Sequence, residues 1–229
     1  MTGELFDNYE KNYGEVVQSS IDFSGLPHAF FMAAKADLLR DVLARHFGSA
    51  SKPDALDVGC GVGAFHPYIR GMLRRLCGVD VSASSIGQAH KSNPDVEYES
   101  YADGVLPYAD GEFDLVTAIC VMHHVPPADW PGFVRELRRV TRPGGLVCVI
   151  EHNPFNPLTR LAVARCEFDR DAVLLRAGRM ERLLADGGMH GIGTRYFLFV
   201  PWAAPLARRI ERRCARVPLG AQYLTIGKV

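Results

Sequence analysis

Short apolar runs alternate with amphipathic stretches along most of this chain. Leu5, Phe6, Tyr9, Tyr13, Val16 and Val17 fall close to helical spacing and predict a helix over 2–18, followed by a loop over 19–27. Ala33, Ala36, Leu39, Leu43 and Phe47 support a second helix over 28–47, which Gly48 to Pro53 break. Then the period switches. Strands are predicted over 55–58, 76–81, 96–101, 113–120 and 146–150, with helices over 64–73, 84–91 and 130–140 between them. After Glu151 the pattern changes again. A turn over 153–157 leads to helices over 158–164 and 176–185, a strand over 194–200, a helix over 205–216 and a last strand over 222–228.

Strands that alternate with helices, free of proline and mostly of polar residues, belong in a parallel sheet covered on both faces. The long connection between the last two strands lets one return antiparallel. The expected organisation is a helical lid or cap over 1–47 and one α/β domain over 48–229, whose part from 153 onward shapes a substrate pocket. The length, 229 residues, suits that plan. Hydrophobic residues make up 48% and charged residues 23%, a globular composition. Lys and Arg number 26, as do Asp and Glu, so the net charge of zero argues against a nucleic-acid binder. No apolar run approaches a membrane span, and the polar, aromatic start has no signal-peptide character, so a cytoplasmic protein is expected. The six cysteines form no C-x-x-C pair, and structural zinc is not expected.

The sharpest signal is Leu56-Asp57-Val58-Gly59-Cys60-Gly61-Val62-Gly63, a strand that turns on glycines and enters a helix. Glycine permits a positive φ and lets a ligand approach the backbone. With Ala64 the run formally completes a dinucleotide fingerprint, and a glycine turn without a ligand is the bland alternative. Asp57 tips the balance, since a carboxylate there repels a pyrophosphate and attracts an ammonium or sulfonium cation. Asp80, with Val81 beside it, ends strand two at a place suited to ribose hydroxyls. Asp103-Gly104 follows strand three. Phe113-Asp114-Leu115-Val116 leads strand four, and Glu136 to Gly145 (ELRRVTRPGG) precedes strand five.

These five elements, in this order, resemble the class I S-adenosylmethionine-dependent methyltransferases over about residues 54–152. The resemblance implies a Rossmann-like sheet of seven strands, order 3-2-1-4-5-7-6, with the last strand antiparallel. It implies S-adenosylmethionine as cofactor. Asp57, Gly59, Cys60 and Gly61 would hold its methionine part, Asp80 its ribose and Asp103 with Gly104 its adenine, while Cys120 lines the wall through its backbone. Residues 1–45 and 153–229 match no general pattern, so the resemblance names no acceptor.

Methyl transfer is an in-line displacement in which the protein orients the partners and excludes water. An acceptor hydroxyl or ammonium also needs a base. His123 and His124 after strand four and His152 after strand five stand at strand carboxyl ends, where open α/β sheets bind ligands. Each also reads as a structural histidine. All three are candidate bases, His124 first; His123 and His152 are also candidates for contact with the substrate. The His-His pair lacks an acidic cluster in the sequence, and no metal is expected. Tyr9 and Tyr13 share one helix face, which is either a core stripe or a lid whose Tyr13 closes over the sulfonium and latches with His124. Asn153, within two Asn-Pro steps, either offers a donor and acceptor to a small ligand or serves only a rigid turn. The segment 166–171 extends the substrate wall. Residues 205–218 carry five arginines against Glu211, a solvated face or a site for an anionic substrate or membrane surface.

The expected function is methyl transfer to a small-molecule acceptor in secondary or specialised metabolism. The same cofactor site also suits an intramolecular cyclase or lyase that releases methylthioadenosine, for example in forming azetidine-2-carboxylate. A non-catalytic binding subunit and a nicotinamide dehydrogenase are further readings.

Overall fold

A computed structural model describes residues 13–200, 211 and 213–229, and of Tyr13 the backbone alone. Tyr9 and half of the arginine-rich stretch, including Arg208, Arg209 and Arg212, lie outside the described residues.

Five strands run parallel at the centre: β1 (Asp54–Val58), β2 (Arg75–Asp80), β3 (Glu97–Ser100), β4 (Phe113–Ile119) and the first part of β5 (Thr141–His152). β6 (His190–Phe197) and β7 (Gln222–Lys228) complete the sheet, with β7 antiparallel to both β5 and β6. The order is β3-β2-β1-β4-β5-β7-β6, as expected. Every residue of β1 is buried. Alternate side chains go to opposite faces: Leu56, Val58, Val116, Val147 and Val149 to one cluster, Ala55, Leu115, Leu146, Cys148 and Ile150 to the other.

Helices α5 (Trp130–Val140) and α7 (Ala177–Asp186) cover the first face. Trp130, Val134, Leu137 and Val140 of α5 recur every three or four residues and are buried, while Arg135, Glu136, Arg138 and Arg139 occupy the rest of the circumference. Pro131 sits in the first turn, where its missing N–H is not needed. On the second face lie α2 (His28–His46), α3 (His66–Ile69) and α4 (Ala83–Ser92). Ser82 caps α4 by accepting from the Ser85 N–H. Met32, Ala36, Leu39, Val42 and Leu43 of α2 are buried among the strands' side chains. Fully burying each such side chain is worth roughly 1.5–3 kcal/mol. α2 therefore packs one face into the core of the α/β domain.

α1 (Tyr13–Ile21) and a 3₁₀ turn over Asp22–Ser24 fill the stretch where a loop over 19–27 was expected. Ser19 and Ser20 turn their hydroxyls back on the Val16 and Val17 carbonyls, which lets the helix run on. The helix expected over 64–73 is only four residues long and passes into a 3₁₀ turn over Arg70–Met72, because the glycine turn occupies the chain up to Gly63 and Pro67 fixes the start. β5 is longer than expected and β6 starts and ends earlier. Leu198, at φ +61°, takes the chain out of β6 before Val200. α6 (Pro157–Arg165) is capped by Asn156, whose side chain accepts from the Thr159 N–H. Among the described residues no helix is long and apolar enough to cross a membrane.

Candidate active site

The carboxyl ends of β1, β2, β4 and β5 open on a cavity of about 380 Å³, roofed by α1 and α6 and by the amino-terminal end of α2. This is the crevice where doubly wound sheets take ligands.

One wall is the glycine turn. The Gly59 and Cys60 N–H groups both donate to the Val79 carbonyl, at 2.7 and 3.0 Å, so the turn folds onto the end of β2. Gly59 has φ +76°, and a Cβ there would lie 2.5 Å from Val121 Cγ2. Gly61, at φ +52°, faces open space, and its N–H donates to Asp80 Oδ2 at 2.8 Å. Asp80 also accepts from the Ser82 N–H at 2.9 Å. Burial raises its carboxyl above the usual aspartate range against the pull of these backbone donors. Asp57 is buried, accepting from Thr117 Oγ1 at 2.6 Å and from His66 Nε2 at 3.1 Å. His66 Nδ1 meets the Tyr98 hydroxyl at 2.6 Å, and Asn93 Nδ2 donates both to that hydroxyl and to the Gly63 carbonyl. Burial pushes the Tyr98 phenol up, so it keeps its proton and donates it to His66. A buried polar chain thus braces the turn from behind.

The opposite wall is built from β4, β5 and the segment after α6. Cys120, at φ +57°, ends β4, and its N–H donates to the Ile150 carbonyl at 2.8 Å. A 3₁₀ turn over Met122–His124 follows. Glu151 of β5 is fully buried and holds this turn. Its Oε1 accepts from the Val121 and Met122 N–H groups at 3.0 and 2.7 Å, and its Oε2 accepts from His123 Nδ1 at 2.6 Å. Asp169 Oδ1 lies 3.3 Å from His123 Nε2 and 3.4 Å from His124 Nε2. The His152 ring stands 5.1 Å from that of His123. Burial opposes the charge on His123, but Glu151 and Asp169 outweigh it and hold the ring well above the usual histidine range. His124 goes the other way, lowered to about 4 by burial and by the charge of His123. Lys35 of α2 is almost fully buried, its Nζ 3.7 Å from Cys120 Sγ, and Gln222 donates toward the same sulfur at 3.6 Å. Burial works to raise the Cys120 thiol, yet Lys35 and His152 bring it down to about 7.

Of the residues expected at the site, Asp57, Gly59, Cys60, Gly61, Asp80, Val81, Cys120, His123, His124 and His152 all line this cavity. Asp103 and Gly104 do not. They form an exposed turn outside it, and Tyr101, two residues earlier, lines the cavity instead. Asn153 is also corrected. It is buried, its Nδ2 donates to the Pro218 and Gly220 carbonyls at 3.0 and 2.8 Å, and its Oδ1 accepts from the Phe155 N–H at 3.1 Å. That amide is committed to pinning two loops together. Tyr9 and the Tyr13 side chain lie outside the described residues. Sequence reasoning missed Glu151, Asp169 as a partner of the histidines, Lys35 and His66. The acidic cluster said to be lacking is supplied from 28 and 46 residues downstream of His123.

Residues 56–149 match the family described as "Methyltransferase domain". The chain carries a class I S-adenosylmethionine-dependent methyltransferase domain. This methyltransferase domain is 31% identical over 102 residues to an uncharacterized methyltransferase of Synechocystis, an overlap of 44% of this chain and 48% of that one. It is 33% identical over 99 residues to a ubiquinone biosynthesis O-methyltransferase of Burkholderia vietnamiensis, 41% of either chain. The match thus spans less than half the length of each of these relatives. A possible histamine N-methyltransferase of Thermotoga maritima shares the fold over 98% of both chains, with a TM-score of 0.64 at 16% identity. The cofactor of the domain is S-adenosylmethionine, and the cavity fits it. The space over Gly61 is free of side chains, and a buried carboxylate, Asp80, stands at the end of β2 beside it.

Proposed function

We propose that this protein transfers a methyl group from S-adenosylmethionine to the hydroxyl of a small acceptor that is apolar over most of its length. The observation that carries this reading is the continuity of one cavity. It runs from Gly61 and Asp80 to the His123–His124–Asp169 cluster and on to an apolar wall of Phe23, Phe30, Phe31, Leu158, Val163 and Phe168. The Burkholderia relative's name, an O-methyltransferase, supports a hydroxyl as the acceptor group.

When bound, the cofactor supplies a methyl group on a cationic sulfur that leaves as a neutral thioether. The chain's own residues do the rest. Asp80 would take the ribose hydroxyls, and the open backbone at Gly61 would admit the methionine part. The Asp57 carboxylate would add negative charge to the wall beside a bound sulfonium. The apolar wall aligns the acceptor and keeps water from the reacting atoms. His124, backed by Asp169, takes the hydroxyl proton as the new O–C bond forms. Val17, Ser20 and Ile21 of α1 line the cavity, so the segment ahead of them, with Tyr9 and Tyr13, is proposed as the lid that closes it.

The test is formation of S-adenosylhomocysteine on incubation with the cofactor and a panel of alkyl phenols and apolar alcohols. His124→Ala should lower turnover on the best acceptor by about 10²–10⁴-fold while affinity for S-adenosylhomocysteine changes little. Methylthioadenosine formed from the cofactor alone would instead establish the cyclase reading.

A further inference from the structure

The cavity wall carries a donor set that methyl transfer does not require. One ligand atom each from His123, His152 and Asp169 lies within 4.8 Å of the other two. Two imidazole nitrogens and one carboxylate oxygen form a set suited to borderline divalent ions such as zinc, iron(II) or cobalt(II) rather than to magnesium or calcium, which prefer oxygen alone. Metal–ligand bonds of about 2.0–2.1 Å put neighbouring donors of a tetrahedral site about 3.3–3.4 Å apart. His123 Nε2 and Asp169 Oδ1 are 3.3 Å apart, held by a hydrogen bond whose proton an ion would displace.

Two further observations point the same way. His123 gives its Nδ1–H to the buried Glu151 at 2.6 Å, which fixes the ring and aims Nε2 at Asp169. A carboxylate behind a histidine is the usual outer support of a metal ligand. All three ligand residues also line the cavity, so an ion there would keep coordination positions open toward whatever the cavity holds.

We propose that His123, His152 and Asp169 bind one divalent transition-metal ion at the acceptor end of the cavity, supported by Glu151. Its remaining positions face the cavity and take water or an oxygen of the acceptor, which makes acceptors with two adjacent oxygens the preferred chemical class. The ion's ligands do not depend on methyl transfer, whereas the acceptor preference rests on the proposed function; the proposal departs from the sequence-based expectation that no metal belongs here.

The experiment uses the full chain freed of metal with a chelator and then titrated with cobalt(II) or zinc(II) alone. Cobalt should bind at one equivalent with visible absorption of an N/O-ligated ion, and calorimetry should give the same stoichiometry for zinc. Asp169→Asn and His152→Ala should each weaken binding by at least about tenfold, and Glu151→Gln by about 10–100-fold. Affinity for S-adenosylhomocysteine measures whether each variant is folded. No stoichiometric binding by the unaltered protein overturns the proposal, and this arm decides even where a variant fails to fold. Binding that is unchanged in folded Asp169→Asn and His152→Ala overturns it as well, since the ion would then sit elsewhere. A cobalt–thiolate charge-transfer band would bring Cys120 into the shell and refute the proposed ligands.

Discussion

Replacing Asn153 with alanine should unsettle the fold far more than the cofactor site. The Asn153 amide makes three hydrogen bonds: to the Pro218 carbonyl at 3.0 Å, to the Gly220 carbonyl at 2.8 Å and from the Phe155 N–H at 3.1 Å. Each is worth about 1 kcal/mol net, and the side chain is buried, so the groups left behind find little water. The loss should be about 3 kcal/mol. For a protein of this size that lowers Tm by about 6–12 °C, readable by circular dichroism. Well below that Tm, calorimetric affinity for S-adenosylhomocysteine should stay within about threefold of the unaltered protein. Asn153 does not line the cavity, whereas Gln222, which starts β7 just past the loop it helps hold, does. A variant with unchanged Tm but much weaker cofactor binding would refute the structural role and restore Asn153 to the site.

Asp80→Ala should weaken S-adenosylhomocysteine binding about ten- to hundredfold, because hydrogen bonds to a charged acceptor are worth about 1.5–3 kcal/mol; unchanged affinity by calorimetry would remove Asp80 from the site. Burial raises the Asp80 carboxyl above the ordinary 3.8, so it protonates at higher pH than an exposed aspartate, and affinity should fall as pH drops through that raised value. The same raised pKa contributes stability to the ligand-free fold at acid pH that is lost as pH rises through it; Asp80→Asn should abolish both slopes, the first followed by calorimetry and the second by urea unfolding. Gly59→Ala meets Val121 and an unfavourable φ together and should cost about 2–5 kcal/mol in urea denaturation, whereas Gly61→Ala, with open space and only its φ of +52° against it, should cost about 1–2 kcal/mol and also weaken cofactor binding. Deleting residues 1–18 should abolish turnover while the sheet stays folded by circular dichroism; full activity would leave that segment without a role as a lid.

The parallel strands were legible because each is a short, almost wholly apolar run closed by a turn, and the cofactor half of the site because it lies at two adjacent strand ends, Asp57 to Gly61 and Asp80. Of the other half only the histidines His123, His124 and His152 were legible. Glu151 reads in sequence as the polar end of a strand, and only the pairing of β5 with β4 brings it against His123. Asp169 comes from a 3₁₀ turn after α6, and Lys35 sits on a helix whose apolar spacing predicts packing, not chemistry. Asp103 presents another case. It follows β3 as the pattern requires, and it sits at φ +57° on an exposed turn outside the cavity lining. Asn153 advertises hydrogen-bonding capacity in sequence, and the fold spends that capacity on Pro218 and Gly220, more than sixty residues away.

Tyr98 stands on β3, the four-residue outer strand of the sheet, yet through His66 and Asn93 it reaches the glycine turn at the centre. Edge strands open more readily than central ones in native-state fluctuations. Each opening of β3 would release the hydroxyl that holds His66 and Asn93, and with it the turn over Gly59 to Gly63. Amide protons in that turn should therefore exchange with solvent at rates that follow β3 rather than the buried β1 from which the turn emerges. A ligand that immobilises the turn should in return slow exchange at the far edge of the sheet, in a strand it never touches.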